Sequence, residues 1–499
     1  MKKNFLVFLL SVLIFSACSN DDDVAEIVEE PTPEEPAPEE PEAPEEVTYN
    51  REDYPIQDFI WSAMNVYYLY KADTPELDES YFSDVNEYAE YLSENPVPED
   101  FYYDELVSDQ DRFSYLTNDY VALENSFSGV SKSNGLKYSL VRFSNSDDIF
   151  GYVRYVAPNS NASTTIIERG DLFLTVDGTQ MNINNYQSLL AQDDYTLGLA
   201  TVANNTVSST GESVELTKEE GFSENPILIA KTLEIDGQKI GYLMYNSYVG
   251  AYDDELNAAF ADFKADGITD LVLDLRYNGG GSVASAIDLT SMITGQFEGE
   301  VITKQQWNAE AQAYFESQSP ESLIDRFDGQ IRTGESINSL NLSRLYVIGT
   351  GSTASASELT IIGLRPYIDV KTIGTTTVGK FQASATLYDG DNFGKENINP
   401  DHNYAIQPLI YTYANADGVV GPPTGIVPDF ELAEDLTNLG ELGDENEPLL
   451  SLALDQILGR SHSSSKRNAG PAYELVGETD MNQPTFQKMY VTELPQIQK

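Results

Sequence analysis

The sequence has few of the residues that most often build disulfide cores, metal sites and histidine-dependent active sites. Its 499 residues include one cysteine and two histidines. A single cysteine excludes disulfide bonds within the chain. The scarcity of histidine argues against a zinc centre, and the zinc motif H-E-x-x-H does not occur in the sequence. We therefore expect neither a metal nor any other cofactor.

Positive charge is also scarce. The chain has 28 Lys and Arg against 82 Asp and Glu, which gives a formal net charge of −54. So acidic a chain repels phosphates, and nucleic acid is not expected as a partner. The charge is uneven, because residues 21–48 hold thirteen acidic residues and no Lys or Arg. The hydrophobic fraction of 41% indicates that most of the chain is globular.

Apolar sequence at the N-terminus is limited to the run Phe5–Phe15. This run is too short for a transmembrane helix of normal length. It follows Lys2 and Lys3 and precedes small residues, which is typical of a secretory signal peptide. The sequence therefore predicts a signal peptide over residues 1–17.

The only cysteine, Cys18, comes directly after that peptide in "IFSAC", which resembles a bacterial lipobox. The resemblance implies that Cys18 carries lipid and anchors the chain to a membrane. The next residues, "SNDDD", resemble the tag of lipoproteins of Bacteroidetes type, which implies an outer-membrane lipoprotein of the cell envelope on the periplasmic or cell-surface side. Residues 18–49 are rich in Pro and Glu and predict an extended acidic tether.

Composition and periodicity divide the remaining chain into four regions. Residues 50–125 look helical, because apolar and aromatic residues recur there at helical spacing. Residues 126–212 show short strand patterns broken by turns, and residues 225–458 alternate strand-like and helix-like stretches. Residues 459–499 lack periodicity and predict a tail that either wraps the core or stays mobile. We expect a multidomain α+β fold: a helical N-terminal segment, a β-rich domain and a mixed α/β core.

The β-rich region, residues 126–212, resembles a PDZ domain through "GDLFLTVDGTQM", in which Gly-Asp leads into an apolar strand and a turn. PDZ domains bind an extended peptide at a strand edge and hold its C-terminal carboxylate in a loop of backbone N–H groups. The resemblance implies such a loop at "NGLKY", with Gly135 and Leu136 as peptide-binding residues. A generic β-barrel insertion is the alternative.

Two turns rich in small residues could carry chemistry. The first, "GSTASASEL" at 351–359, separates a strand-like stretch, Leu345–Ile348, from a helix-like one, Leu359–Leu364. Its small residues indicate either tight packing or a hydroxyl at the head of a helix beside free backbone N–H groups. The second, "DLRYNGGGS" at 274–282, has three glycines that let backbone approach a ligand and present N–H groups to a negative oxygen. A tight strand-to-helix turn is the alternative for the second.

Two other chemistries fit poorly. The segment Gly374–Phe381 nearly matches a phosphate-binding loop, but Phe381 replaces the Ser or Thr that binds magnesium and a strand pattern follows instead of a helix. Neither His402 nor His462 has a patterned Asp partner, and no G-x-S-x-G motif stands near an apolar strand. A serine nucleophile therefore needs a base other than histidine.

A serine–lysine pair meets that need. Ser355 lies where a strand gives way to a helix, and Lys380 lies at the start of a later strand, so a parallel α/β layout can bring the two together. The lysine has to be neutral to accept a proton, which requires its pKa to fall from about 10.4 to near 7. The surrounding small and apolar residues are suited to that shift.

The motifs "TASASEL", "TVGK" and "DLRYNGGG" occur in this order and together resemble the C-terminal processing peptidases of serine peptidase family S41, over residues 50–435. The resemblance implies that a Ser/Lys dyad cuts peptide bonds, often near protein C-termini. Ser355 would be the nucleophile and Lys380 the general base. The backbone N–H groups of Gly281 and Ala356 would form the oxyanion hole.

Many members of the family carry a Gln four residues after the lysine, where this chain has Ser384. Gln382 lies on the same face of a strand as Lys380 and Ser384, so Gln382 or Ser384 could orient the lysine. Ser352 and Ser357 lie nearby without the family spacing and are interpreted as small turn residues.

The sequence thus favours a lipid-anchored serine endopeptidase that acts on exported proteins, with substrates bound in part by their C-termini. Two alternatives stay open. One is the same fold with a silent site, binding peptides through the PDZ-like region. The other is a glycan-binding surface lipoprotein, suggested by the signal peptide, the acidic tag and aromatic residues such as Trp61.

Overall fold

The computed structural model describes residues 48–143, 146–203, 206–461, 474–495 and residue 497. The predicted signal peptide, Cys18, most of the tether and His462 lie outside these residues. The described part contains both helices and strands in several sheets, which confirms the expected α+β class. The predicted domain boundaries stay predictions. Among the described residues, no helix combines the length and the apolar character needed to cross a membrane.

The N-terminal region is mainly helical and is built around aromatic side chains. Its helix α2 begins after Asp84, whose carboxylate accepts the N–H groups of the first turn. Trp61 is 8% exposed, stacks edge-on against Tyr88 and donates its indole N–H to the carbonyl of Glu76. This tryptophan therefore belongs to the core and offers no surface to a glycan. The elements are α1 Pro55–Tyr67, α2 Val85–Glu94, α3 Pro98–Asp100, β1 Tyr115–Thr117 and α4 Tyr120–Phe127.

The next region is a twisted antiparallel sheet with its own apolar core. Alternate residues of its strands, such as Phe173 and Leu197, pack inside together with the residues of a short helix. The elements are β2 Val130–Ser133, β3 Leu136–Arg142, β4 Ile149–Val156, β5 Leu172–Val176, β6 Thr179–Gln180, α5 Tyr186–Ala191, β7 Asp194–Ala203, β8 Thr206–Thr217 and β9 Glu219–Ser223.

The core alternates strands and helices, as the sequence predicts. Its first helix, α6, ends at Gly267, which adopts a left-handed conformation with φ of 71°. The strands are β10 Ile227–Ile235, β11 Gln238–Tyr245, β12 Asp270–Asp274, β13 Gly281–Ser282, β14 Val301–Trp307, β15 Ile324–Arg326, β16 Arg344–Gly349, β17 Asp369–Gly374, β18 Gln382–Ala385, β19 Leu387–Tyr388, β20 Ala405–Gln407, β21 Leu409–Asn415 and β22 Phe430–Glu431. The helices are α6 Asp253–Asp266, α7 Val283–Ile293, α8 Ala309–Gln318, α9 Ala356–Leu364 and α10 Pro448–Ile457.

The central sheet of this core has the strand order β10-β11-β12-β16-β17-β22. All neighbours after the first pair run parallel. Because successive side chains of a strand point to opposite faces, Tyr242 and Met244 pack against α10, whereas Leu243 packs with α6, α7 and α9. Because β12 and β16 are parallel neighbours, their carboxyl ends lie at the same edge of the sheet, and the two turns of small residues follow there.

The described part of the C-terminal region adds two more strands, β23 Glu474–Glu478 and β24 Met489–Val491. The first pairs antiparallel with β3, at the edge of the β-rich sheet. The second lies between β13 and β18, parallel to both. These strands are too short to show periodicity, which is why the sequence predicts no element there.

Candidate active site

Ser355 stands at the junction of β16 and α9, as the sequence predicts, and it is fully buried. Its φ of 66° and ψ of −117° are a strained conformation for a residue with a side chain. Neighbouring backbone is close, because a Cβ atom added to Gly280 would lie 2.6 Å from the Cβ atom of Ser355 and 3.1 Å from the amide nitrogen of Ala356. The small residues of both turns are therefore needed for close packing around a strained serine.

Glu358 connects the turn that carries Ser355 to the turn that carries Lys380. Its buried carboxylate accepts the backbone N–H of Ser355 at 2.9 Å, that of Gly379 at 2.8 Å and that of Lys380 at 2.9 Å. The Thr377 hydroxyl donates to the same carboxylate. Burial raises the pKa of Glu358, and these donors counteract the shift. One carboxylate thus fixes the backbone of both predicted catalytic residues.

The glycine turn is held against the serine turn through Asn278. Its carbonyl oxygen accepts the N–H of Ala354 and the hydroxyl of Ser357, both at 3.1 Å. Its side chain accepts the N–H of Gly280 at 2.9 Å and donates to the carbonyl of Tyr245 at 2.8 Å. This brings the three glycines beside the N-terminus of α9, where backbone N–H groups are free of helical partners.

The two residues predicted to form the oxyanion hole both lie near Ser355, but only Ala356 is adjacent to it in the chain. Ala356 is the first residue of α9 and follows the nucleophile directly. Gly280 rather than Gly281 packs against Ser355, while Gly281 has φ of 134° and pairs with Tyr248 on one side and Met489 on the other. The assignment of Gly281 and Ala356 as oxyanion donors stays a prediction.

Lys380 is fully buried, and its ammonium donates to the backbone carbonyl of Gln382 at 2.8 Å. Burial lowers its pKa to about 7, against the opposing effect of the carboxylates of Asp111 and Glu358. The lysine therefore has the protonation behaviour that a general base needs near neutral pH. Its Nζ atom also lies 5.2 Å from the centre of the Phe113 ring.

The predicted orienting residues do not contact the lysine through their side chains. Gln382 accepts the Lys380 ammonium through its backbone carbonyl and not through its side chain. Ser384 donates its hydroxyl to the carbonyl of Met489 at 3.1 Å. Within the described residues, no hydrogen bond joins Ser355 to Lys380; the Ser355 hydroxyl makes a long bond of 3.5 Å to the carbonyl of Gln487. Glu358 thus connects the backbones of the predicted nucleophile and the predicted base, and no direct hydrogen bond joins their side chains in the described residues.

The helical region also covers this site, which no sequence pattern predicts. Asp111 accepts the N–H groups of Phe113 and Ser114 at 2.8 and 2.9 Å, which shapes a turn that places Phe113 over Lys380. These residues lie more than 200 positions before the lysine, and no local pattern connects them to it. Glu358 was detectable, since S-x-x-E at 355–358 is a capping-box signature.

The remaining predicted site residues lie elsewhere. Leu136 begins β3 and Gly135, with φ of 78°, directly precedes it; their N–H groups donate to the side chains of Asn134 and Ser133, respectively. His402 does have an acidic partner: its Nε2 atom lies 3.0 Å from a carboxylate oxygen of Asp389.

Since the Nδ1 atom of His402 accepts the N–H of Tyr404 at 3.1 Å, both ring nitrogens are engaged. Although burial opposes it, the His402 contact lowers the pKa of the Asp389 carboxylate. His402 thus stabilises a loop. In the described ranges, no group of three or more metal-ligating side chains is arranged to hold a metal ion.

Comparison with known proteins finds one family model and several solved structures that are similar to parts of this chain. Residues 239–432, which include both turns and Lys380, match the model of peptidase family S41. A crystal structure of a Bacteroides fragilis protein described as an S41 protease is 24% identical, with a TM-score of 0.61, over 81% of this chain and 97% of that one. The photosystem II D1 C-terminal processing protease is 20% identical over 77% of this chain and 94% of its own, with a TM-score of 0.46. No curated protein matches the chain.

Proposed function

We propose that this chain hydrolyses peptide bonds with Ser355 as nucleophile and Lys380 as general base, because residues 239–432 match the model of peptidase family S41 and contain both residues. The observation that supports this most is the environment of Lys380: a buried amine with a pKa lowered to about 7, on a turn that Glu358 ties to the nucleophile. No other lysine is tied to the serine turn in this way among the described residues.

The proposed reaction begins with a movement of the Lys380 amine from the Gln382 carbonyl toward the Ser355 hydroxyl. The neutral amine accepts the hydroxyl proton as the serine oxygen attacks the substrate carbonyl carbon. Negative charge then develops on the carbonyl oxygen, beside the glycine turn and the N-terminus of α9, where backbone N–H groups stabilise it. The protonated lysine donates to the leaving amine, and water hydrolyses the acyl-enzyme through the same steps.

The test compares purified variants on an unstructured fluorogenic peptide. Ser355→Ala should lose at least about a thousandfold in kcat, since the attacking oxygen is gone. Ser291→Ala is the matched control, because Ser291 is equally buried but only bonds within and beside α7. Wild-type turnover by a folded Ser355→Ala would contradict the proposal.

We further propose that the chain is a lipoprotein of the cell envelope, anchored through Cys18, and that its substrates are exported proteins. The support is the sequence "IFSAC" and the acidic tether. Cys18→Ala should shift the protein from membrane to soluble fractions or leave the signal peptide uncleaved. A membrane-bound Cys18→Ala protein with the wild-type mature mass would contradict the anchor.

A further inference from the structure

The candidate cleft beside Ser355 already contains an extended stretch of the chain. In the described part of the chain, β24 lies between β13 and β18, and these two strands do not pair with each other. Met489 pairs with Gly281, and Val491 pairs with Ala385. Pairing through the backbone does not depend on side-chain identity, so the gap between β13 and β18 is suited to any extended peptide.

The residues just before β24 reach the nucleophile. The Ser355 hydroxyl donates to the carbonyl of Gln487 at 3.5 Å. A Cβ atom added to Gly279 would lie 3.2 Å from the backbone nitrogen of Gln487, and one added to Gly280 would lie 2.8 Å from the carbonyl oxygen of Lys488. The backbone of Gln487 and Lys488 therefore occupies the space beside Ser355 that a substrate backbone needs.

The Lys488 side chain is buried in this site without a hydrogen-bond acceptor for its amine in the described residues. It is 6% exposed, and its Nζ atom lies 4.2 Å above the Tyr115 ring without any hydrogen-bond acceptor in the described part of the chain. Burial, together with the nearby Lys380, lowers the pKa of Lys488 well below its usual value. A buried amine without an acceptor opposes binding, so this segment is held less tightly than its backbone pairing alone would allow.

The same segment also fills the edge of the β-rich sheet. Strand β23 runs antiparallel to β3, with Glu474 opposite Arg142 and Glu478 opposite Ser139, so it approaches the loop at Gly135. This is the edge and direction in which a β-rich domain adds a peptide strand.

Glu478 then contacts the catalytic core. Its carboxylate pairs with Arg154 and accepts the hydroxyl of Ser352 at 2.8 Å, three residues before the nucleophile. One segment thus occupies both the sheet edge and the cleft.

We propose that residues 474–491 are a ligand in cis that blocks the substrate cleft, an inference that rests on the proposed function. A peptide substrate must then displace β24 from between β13 and β18 before Ser355 can act. The substrate then enters as an extended strand parallel to both. The C-terminal segment thereby makes the enzyme autoinhibited.

The first experiment locks the segment in place. Ala385 and Val491 are paired across parallel strands, at a spacing of about 4.8 Å that suits a disulfide. In Ala385→Cys/Val491→Cys, oxidation should lower kcat/KM for a short peptide at least tenfold, and reduction should restore it. Each single cysteine variant should be insensitive to oxidation. Equal activity of the two forms, with the disulfide confirmed by mass spectrometry, would overturn the proposal.

The second experiment releases the segment and measures binding rather than catalysis. Met489 is fully buried, so Met489→Asp should expel β24, whereas Asn482→Asp places the same charge on an exposed turn. In a Ser355→Ala background, a labelled synthetic peptide of residues 474–491 should bind the Met489→Asp protein at least tenfold tighter than the Asn482→Asp protein. Equal binding would overturn the proposal.

These two readouts separate the inference from the function on which it rests. With Ser355 intact, Met489→Asp should hydrolyse the short peptide at least fivefold faster than the Asn482→Asp control. Tight binding by released protein together with no hydrolysis by any variant would support the cis ligand and refute the peptidase. Should Met489→Asp lose its circular dichroism signal, the reversible lock decides alone, with the same labelled peptide added to its oxidised and reduced forms in the Ser355→Ala background.

Discussion

Two buried lysines meet at the candidate site, one on the turn 375–381 and one on the C-terminal segment, and they are held in different ways. The N–H of Lys380 is fixed by Glu358, and its ammonium donates to the carbonyl of Gln382. Lys488 has no acceptor for its ammonium in the described residues and only faces the Tyr115 ring. Both have a lowered pKa because both are buried.

The difference shows that a lowered pKa alone does not identify a catalytic base. Lys380 lies on a turn whose backbone is bound by Glu358, and the same carboxylate binds the turn of Ser355. Lys488 directly precedes β24, and the backbone pairing of that strand does not depend on the Lys488 side chain. In the proposed mechanism Lys380 belongs to the catalytic machinery, whereas Lys488 belongs to the segment that occupies the cleft.

Exchanging each lysine for methionine should separate these roles with the largest effect. Lys380→Met removes the base and should lower kcat by about 10²–10⁴. Lys488→Met, which keeps side-chain length and removes the charge, should leave kcat near the wild-type level and should not raise kcat/KM for a short peptide, because the segment is then held more tightly. The measurement is steady-state hydrolysis by both variants. Lys380→Arg should fail as well, because a guanidinium stays protonated. An active Lys380→Met would contradict the assignment.

Weakening the connection between the two turns should have an intermediate effect. Glu358→Gln replaces a carboxylate that accepts three backbone N–H groups with an amide that brings donors of its own. We expect a loss of about 1–3 kcal/mol in the free energy of unfolding and a loss of about tenfold in kcat.

Urea denaturation and peptide hydrolysis measure these two losses. Glu310→Gln is the control, since Glu310 forms an exposed ion pair with Lys71. Unchanged stability and turnover in Glu358→Gln would show that the carboxylate does not position the dyad.

The pH profile should show the state of Lys380. Only the neutral amine accepts a proton, and its pKa is about 7. The value of kcat/KM should therefore rise about tenfold per pH unit below pH 7 and level off above it. Asp111 and Glu358 are the carboxylates that oppose the shift. A profile that falls between pH 6 and pH 8 would indicate a different base.

Removing the histidine should have the smallest effect. His402 bonds to Asp389 and Tyr404 and stacks on Phe59, so it supports a loop. His402→Ala should lower the melting temperature by a few degrees, as expected for a loss of about 1 kcal/mol, and keep kcat within about twofold of wild type. A stable but inactive His402→Ala would favour a serine–histidine mechanism.

Much of the core around Ser355 was predictable from local sequence. The apolar runs give β12 and β16, the amphipathic stretch ended by Gly267 gives α6, and the small residues mark the turn before α9. The positions of Ser355 and Lys380 at strand boundaries were predictable, whereas their roles stay predictions. The strained φ of Ser355 was not predictable, since it depends on the packing of Gly280 from another turn.

The rest of the site depends on contacts between distant parts of the chain. Phe113 and Asp111 reach Lys380 from the helical region, and Gln487 reaches Ser355 from the C-terminal segment. Strands as short as β24 obtain their pairing from partners far away in sequence. No window of local sequence contains the information that would place them.

Covalent labelling shows whether Ser355 is a nucleophile that Lys380 activates. The chain is incubated with a fluorophosphonate, and the modified residue is identified by mass spectrometry in the wild-type protein and in Lys380→Met. We expect a single adduct on Ser355, formed at least a hundredfold more slowly in Lys380→Met. An adduct on another serine, or equal labelling of Ser355 in both proteins, would contradict this expectation.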